Sequence, residues 1–103
     1  MFKIRLKSEY SDLDKYNDFG DIFYCKKDTN ILHNPYGPAY IRKNGRKTYY
    51  IEGKLHRLDG PAEIYLDGYC SYWINNKFLT KQEFEKHSER LKFLGKDYLI
   101  CLK

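Results

Sequence analysis

A chain of 103 residues is one domain's worth, long enough to bury one core and too short for two. With 42% hydrophobic and 32% charged residues it is too apolar for disorder, and no apolar run approaches the roughly 20 residues of a membrane-spanning helix. The net charge of +5 permits a polyanionic partner but is spread along the chain rather than gathered in blocks.

The first residues alternate, with Phe2, Ile4 and Leu6 between Lys3, Arg5 and Lys7. That period predicts a strand with one wet face and excludes the apolar stretch of a signal peptide. The polar segment from Ser8 to Asp21 reads as loop or a short helical turn, and Ile22 to Cys25 as a second strand.

From His33 onward the chain repeats itself. HNPYGPAYIRKNGRKTYYIEGKL aligns with HRLDGPAEIYLDGYCSYWINNKF at a period of 23 residues without a gap, and nine of the 23 positions are identical. Each unit reads as a β-hairpin. Asn44-Gly45 and Asp67-Gly68 predict two-residue type I′ turns, which need positive φ at both central residues. The flanking strands run from Pro38 to Lys43, Arg46 to Ile51, Pro61 to Leu66 and Tyr69 to Ile74. Glu52-Gly53 and Asn75-Asn76 hold the second turn of each unit.

Beyond the repeats, Thr80 and Glu83 form a capping box that starts a helix over residues 81–94. Phe84, His87, Leu91 and Leu94 share one face of that helix, and Gly95 is placed to end it. Tyr98 to Leu102 reads as a final strand. The expected fold is mainly β within an α+β class, an antiparallel meander of two 23-residue hairpin repeats capped by a C-terminal helix and terminal strands. It is a single domain over 1–103, with an N-terminal cap (1–30), two tandem hairpins (31–79), and a helix plus final strand (80–103).

The second unit carries a resemblance. His56-Arg57-Leu58-Asp59-Gly60-Pro61-Ala62, followed by Asp67-Gly68, Tyr72-Trp73 and Asn75-Asn76-Lys77, resembles a short repeat grouped as a MORN-repeat variant. That repeat occurs in uncharacterised proteins of large DNA viruses, bacteriophages and some bacteria. Its pattern is LHRxDGPA, a strand, a Gly turn, then W/Y-x-x-N-G-K, often followed by a helix opening T-x-x-E-F, as Thr80 to Phe84 does here. The likeness spans residues 32–87, and the first unit departs from it at Asn34-Pro35-Tyr36. The resemblance implies the hairpin architecture and a viral or phage accessory protein, with a role against host defence and a setting in the host cytosol. It brings no catalytic residues with it.

Cys25, Cys70 and Cys101 show no metal-ligand spacing, and their odd number without a leader suggests reduced thiols in a cytosol. Neither a cofactor nor a metal is expected. A two-residue turn at Asn44-Gly45 pairs Lys43 with Arg46, Arg42 with Lys47, Ile41 with Thr48 and Tyr40 with Tyr49. One face then holds Ala39, Ile41, Tyr50, Ala62, Ile64, Leu66 and Trp73, with Trp73 the most buried aromatic of the repeats. The other carries Tyr40, Arg42, Lys47, Tyr49, Tyr65 and Tyr72, the candidate ligand surface, with Glu63 and Cys70 among them. Tyrosines interleaved with basic groups can stack bases and contact phosphates. Equally, Tyr is a good strand former, and Lys, Asn, Ile, Tyr and Phe, all with AT-rich codons, supply 45 residues of this chain.

His33 and His56 recur at one repeat position, which points to a structural role rather than general-base chemistry. Three functions follow. The first is a non-enzymatic binding module for an anionic ligand, a nucleotide or short nucleic acid. The second is a protein-interaction module for a host or viral protein, with the sheet edge as a route to a homodimer. The third and most distant is an enzyme using His56 and Asp59.

Overall fold

The computed structural model describes residues 3–95. Ten strands and two short helices follow one another: β1 (Lys3–Leu6), β2 (Leu13–Asp18), β3 (Asp21–Lys26), β4 (Tyr40–Ile41), β5 (Lys47–Thr48), β6 (Tyr50–Ile51), β7 (Lys54–Leu55), β8 (Glu63–Ile64), β9 (Cys70–Ile74), β10 (Lys77–Leu79), α1 (Lys81–Lys86) and α2 (Ser88–Phe93). Eight strands make one antiparallel meander in the order β1-β2-β3-β4-β5-β8-β9-β10, and β6 and β7 pair beside it. The body is a slab of 52 × 31 × 19 Å. The fold class read from the sequence is therefore the one observed. The expected final strand at Tyr98 to Leu102 and the start of the first strand at Phe2 lie outside the described residues, as does Cys101.

The turns differ from expectation in a way that controls everything on the surface. Arg42 N–H donates to Arg46 O at 2.8 Å and Gly45 N–H to Arg42 O at 2.9 Å, so the loop is Lys43-Asn44-Gly45, three residues long. The second hairpin does the same, with Tyr65 N–H on Tyr69 O at 2.8 Å and Gly68 N–H on Tyr65 O at 3.0 Å. This is a type I turn closed by a glycine in the left-handed region, Gly45 at φ +96° and Gly68 at +93°. Asn44 and Asp67 each accept the N–H two residues on, from Arg46 and Tyr69 at 3.0 Å, a local bond that holds the three-residue loop.

The two-residue type I′ turns sit at the other end of each unit. Glu52-Gly53 has φ of +50° and +79°, and Asn75-Asn76 has +50° and +69°. Here the repeat histidines act. His33 Nδ1 accepts Glu52 N–H at 2.8 Å, and His56 Nδ1 accepts Asn75 N–H at 3.0 Å, an identical bond over 19 residues in both units. Position 34/57 is equivalent too, although its residue changes. Asn34 Nδ2 donates to Pro38 O at 3.0 Å, and Arg57 Nη1 to Pro61 O at 3.1 Å.

Successive units stack through Ala39 and Ala62, the only two alanines of the chain, both at 0% exposure. Ala62 O accepts Tyr49 N–H at 2.7 Å and Ala39 O accepts Tyr24 N–H at 2.8 Å. The second bond uncovers a third unit that the sequence hides. His33 N–H donates to Tyr24 O as His56 N–H donates to Tyr49 O. Cys25 faces Leu32 as Tyr50 faces Leu55 and Trp73 faces Phe78. The N-terminal hairpin is thus a divergent repeat, offset by 25 residues rather than 23 because its second turn is longer. The segment expected to be loop contains β2, the central partner of β1 and β3. Its turn, Phe19-Gly20, has φ of +53° and +97°.

The helix expected over 81–94 breaks at His87, whose extended backbone (ψ 133°) ends α1 and caps α2, its Nδ1 accepting Glu89 N–H at 3.2 Å. The capping box of Thr80 and Glu83 is present, and Gly95 takes the left-handed conformation at φ +74°. Phe84 is buried and packs with Ile74, Leu79, Leu58 and Tyr72. Leu94 is exposed, because the break turns α2 away from the stripe.

Candidate binding surfaces

A one-residue shift in register moves every side chain of a strand to the opposite face relative to its partner. Tyr40 pairs with Thr48 rather than Tyr49, and Ile41 with Lys47 rather than Thr48. Likewise Glu63 pairs with Ser71, and Ile64 with Cys70. One continuous cross-strand row is Arg5, Tyr16, Phe23, Tyr40, Thr48, Glu63 and Ser71. The row behind it on the other face is Ile4, Asn17, Ile22, Ile41, Lys47, Ile64 and Cys70.

The expected ligand surface is therefore divided. Tyr40, Arg42 and Tyr65 share the first face with Arg46 and Glu63, whereas Lys47, Tyr49, Cys70 and Tyr72 lie on the second. Arg42 stands opposite Arg46, not Lys47. The expected core face is split by the same shift, since Tyr50 and Trp73 fall on the first face and Ala39, Ile41, Ala62 and Ile64 on the second. Trp73 is half-buried, donates from Nε1 to Ser71 Oγ at 2.9 Å and meets Phe78 edge-on. Among the described residues the buried aromatic rings are Tyr24 and Phe84, both outside the two repeats.

The second face is the covered one. Phe84 of α1 packs on Tyr72, and Tyr10 of the 8–12 loop lies against Tyr24. Both helices and that loop thus lie on one side of the sheet. The first face carries a ladder of rings. Tyr16 and Phe23 stack at 5.3 Å between centroids, and Phe23 and Tyr40 at 5.6 Å with planes 12° apart. Lys3 Nζ stands 4.5 Å from the Tyr16 ring centroid and Arg42 lies 5.1 Å over Tyr40, cation–π contacts that order the ladder's two ends. All three rings remain partly exposed. Sequence reasoning missed Tyr16 because β2 was not seen, and Phe23 because no partner row was known for it.

Charge on the ladder face is balanced. Arg5 meets Asp14 at 2.6 Å and Arg46 meets Glu63 at 2.7 Å. Asp18 and Asp21 pair across the β2–β3 turn, and Asp21 accepts Lys43 N–H and the Tyr40 hydroxyl. This face thus carries four cations, Lys3, Arg5, Arg42 and Arg46, and four carboxylates, Asp14, Asp18, Asp21 and Glu63, two pairs of which are in contact. Burial raises the pKa of the Tyr40 hydroxyl, and the Asp21 charge adds to it, so Tyr40 is a neutral donor at physiological pH.

A groove of about 390 Å3 opens on the covered face between the two repeat loops, 34–37 and 56–59. His56 and Asp59 both line it, as does Arg57. Burial lowers the pKa of His56 first of all, and that of His33 likewise. Both rings are neutral acceptors at Nδ1, committed to the turns. Cys25 and Cys70 are free, and burial raises the pKa of the Cys25 thiol. Among the described residues no three His, Cys, Asp or Glu side chains gather where an ion could be held. None of the described helices is long and apolar enough to cross a membrane.

Fold and surface together define a class, a β-hairpin repeat protein built on one long antiparallel sheet with a two-stranded sheet beside it, one face of the long sheet covered by the helices and the other not covered by them among the described residues. No family model, curated protein or solved structure matches the chain. The likeness to the MORN-variant repeat rests on the residues quoted for it.

Proposed function

We propose that this chain is a non-enzymatic binding module that takes a protein partner on its ladder face, centred on Tyr16, Phe23 and Tyr40. The observation that carries this reading is a row of three stacked, partly exposed rings on the side opposite the helices. Aromatic residues are what protein interfaces enrich, and a charge-balanced surround discourages a polyanion. The non-enzymatic part is supported by the histidines, which serve the same turn bond in both units. The proposal includes a viral or phage accessory role within a cytosol, for which the free thiols of Cys25 and Cys70 and the repeat resemblance are the support.

One observation favours the anionic-ligand reading. Arg42 and Lys43 are exposed at the tip of the first hairpin, and no carboxylate is within ion-pair distance of either among the described residues, although Lys47 falls on the opposite face. Salt separates the two readings, because phosphate contacts weaken steeply with ionic strength and an apolar interface does not. The test is capture from host extract by wild type and by a Tyr16→Ser/Tyr40→Ser variant, at low and high salt. A protein retained at high salt by wild type and lost by the variant supports the proposal. Identical capture by both proteins contradicts it. Salt-labile binding of nucleotides that Arg42→Ala abolishes transfers the case to the anionic ligand.

A further inference from the structure

The groove between the repeat loops lies on the face opposite the aromatic ladder, and nothing in the reading above uses it. Its volume of about 390 Å3 falls within the range that holds a small organic ligand. Its walls are not what a mere gap between loops would present. Tyr36 from the first loop and Phe93 from α2 both line it, at 56% and 58% exposure. Tyr10 stacks on Tyr36 at 4.6 Å, which fixes the plane of that ring from one side.

The polar groups of the groove are held in place as well. Arg57 lies 4.0 Å over the Tyr49 ring, donates from Nε to Asp59 Oδ1 at 2.9 Å and from Nη1 to Pro61 O at 3.1 Å. These bonds immobilise the guanidinium and leave Arg57 Nη2 and Asp59 Oδ2 with no hydrogen-bond partner among the described residues. A held donor therefore stands beside a carboxylate acceptor. His56 contributes a further donor, since a neutral imidazole accepting at Nδ1 carries its proton on Nε2. Asp59 already balances the charge of Arg57, and no lysine lines the groove. The groove is thus built for a flat ring with a polar edge rather than for a phosphate.

We propose that the groove binds a guanine-type base, the ring lying against Tyr36 and Phe93. Asp59 accepts the two adjacent N–H groups of the base edge, and Arg57 Nη2 donates to the ring carbonyl beside them. Arginine is an ordinary complement of the guanine carbonyl, and carboxylates are ordinary acceptors for base amino N–H groups. Adenine presents one amino group beside an unprotonated nitrogen, which the carboxylate would repel. The site is separate from the ladder face, so failure of either proposal leaves the other standing.

The test is a titration of the isotope-labelled full chain with GMP, AMP, CMP and UMP, with ribose 5-phosphate as control, read by amide chemical shifts. GMP is expected to shift Gly37, Leu58, Asp59 and Phe93 with a dissociation constant between about 10 μM and 1 mM. Ribose 5-phosphate is expected to leave them unmoved. Phe93→Ala, on an exposed position that will not compromise folding, should weaken GMP by about fivefold or more through lost stacking. Asp59→Asn should remove the preference for GMP over AMP. The proposal is overturned if no monophosphate shifts the groove at about 5 mM. It is equally overturned if ribose 5-phosphate moves the same resonances as GMP, if AMP binds more tightly than GMP, or if Phe93→Ala binds GMP as wild type does.

Discussion

Replacing His56 by Ala tests the assignment of the repeat histidines to the turns rather than to chemistry. The ring accepts one backbone N–H, that of Asn75 at 3.0 Å, and this residue is held at φ +50°, where a side chain is uncomfortable. The bond is solvent-accessible, so water partly replaces it and the loss is about 1 kcal/mol. With a urea slope of about 1–3 kcal/mol/M for a chain of this size, the unfolding midpoint should drop by about 0.5 M. His33→Ala removes the equivalent bond to Glu52 at 2.8 Å, and since the two turns share no partner the effects should add. pH supplies a second reading. Burial places both imidazoles below their ordinary pKa in the folded chain, while the unfolded chain titrates near 6.5. Between those two values the unfolded state binds more protons, so stability rises with pH through that window and is lost on acidification. Urea unfolding followed by the fluorescence of Trp73, the single tryptophan, should therefore show wild type less stable at about pH 5.5 than at about 7.5. The double variant should lose most of that difference. An unchanged midpoint for His56→Ala, or an undiminished pH dependence in the double variant, would refute the structural role.

Phe84→Ala should cost about 3–5 kcal/mol, because the ring is 2% exposed and anchors α1 against Ile74 and Leu79. Thermal unfolding by circular dichroism checks it, and a loss under about 1 kcal/mol would show that the helices are not packed on this face. Gly68→Ala isolates the left-handed backbone of the three-residue loop, since an added Cβ meets nothing within 4 Å. It should cost about 1–2 kcal/mol. Gly45→Ala adds a Cβ 3.1 Å from Leu66 Cδ1 to the same strain and should cost at least as much, so neutrality at both positions would mean different loops.

Much of the architecture was readable because it is local or repeated. The repeat, the capping box and the terminating Gly95 hold where the chain places them, whereas the strands expected to start at Pro38 and Pro61 begin at Tyr40 and Glu63. What escaped the sequence was a matter of one residue in each hairpin. Asn-Gly and Asp-Gly favour type I′ turns, yet here the Asn44 and Asp67 side chains hold the longer loop by accepting the N–H of Arg46 and Tyr69. The type I′ geometry moved to Glu52-Gly53 and Asn75-Asn76, where a histidine ring distant in sequence supplies the support. Because side-chain direction alternates along a strand, that small difference separated Arg42 from Lys47 and Tyr40 from Tyr49. β2 was missed for a related reason. Its inward and outward residues, Leu13, Asp14, Tyr16 and Asp18, mix polar and apolar on both faces, so no period of two emerges. Asp14 is buried all the same, accepting from Arg5 and from Asp28 N–H.

The register decides which residues a partner on the ladder face can touch, and it can be measured directly. Across an antiparallel pair the α-hydrogens approach closely only at positions that exchange no hydrogen bonds. With Arg42 bonded to Arg46 and Tyr65 to Tyr69, those positions are Ile41 with Lys47 and Ile64 with Cys70. Nuclear Overhauser spectra should show strong α–α contacts for these two pairs. Strong α–α contacts between Arg42 and Lys47 and between Tyr65 and Cys70 would instead restore the two-residue turns, bring Lys47 beside Arg42 and Tyr40, and contradict the charge-balanced surround on which the protein-partner reading rests.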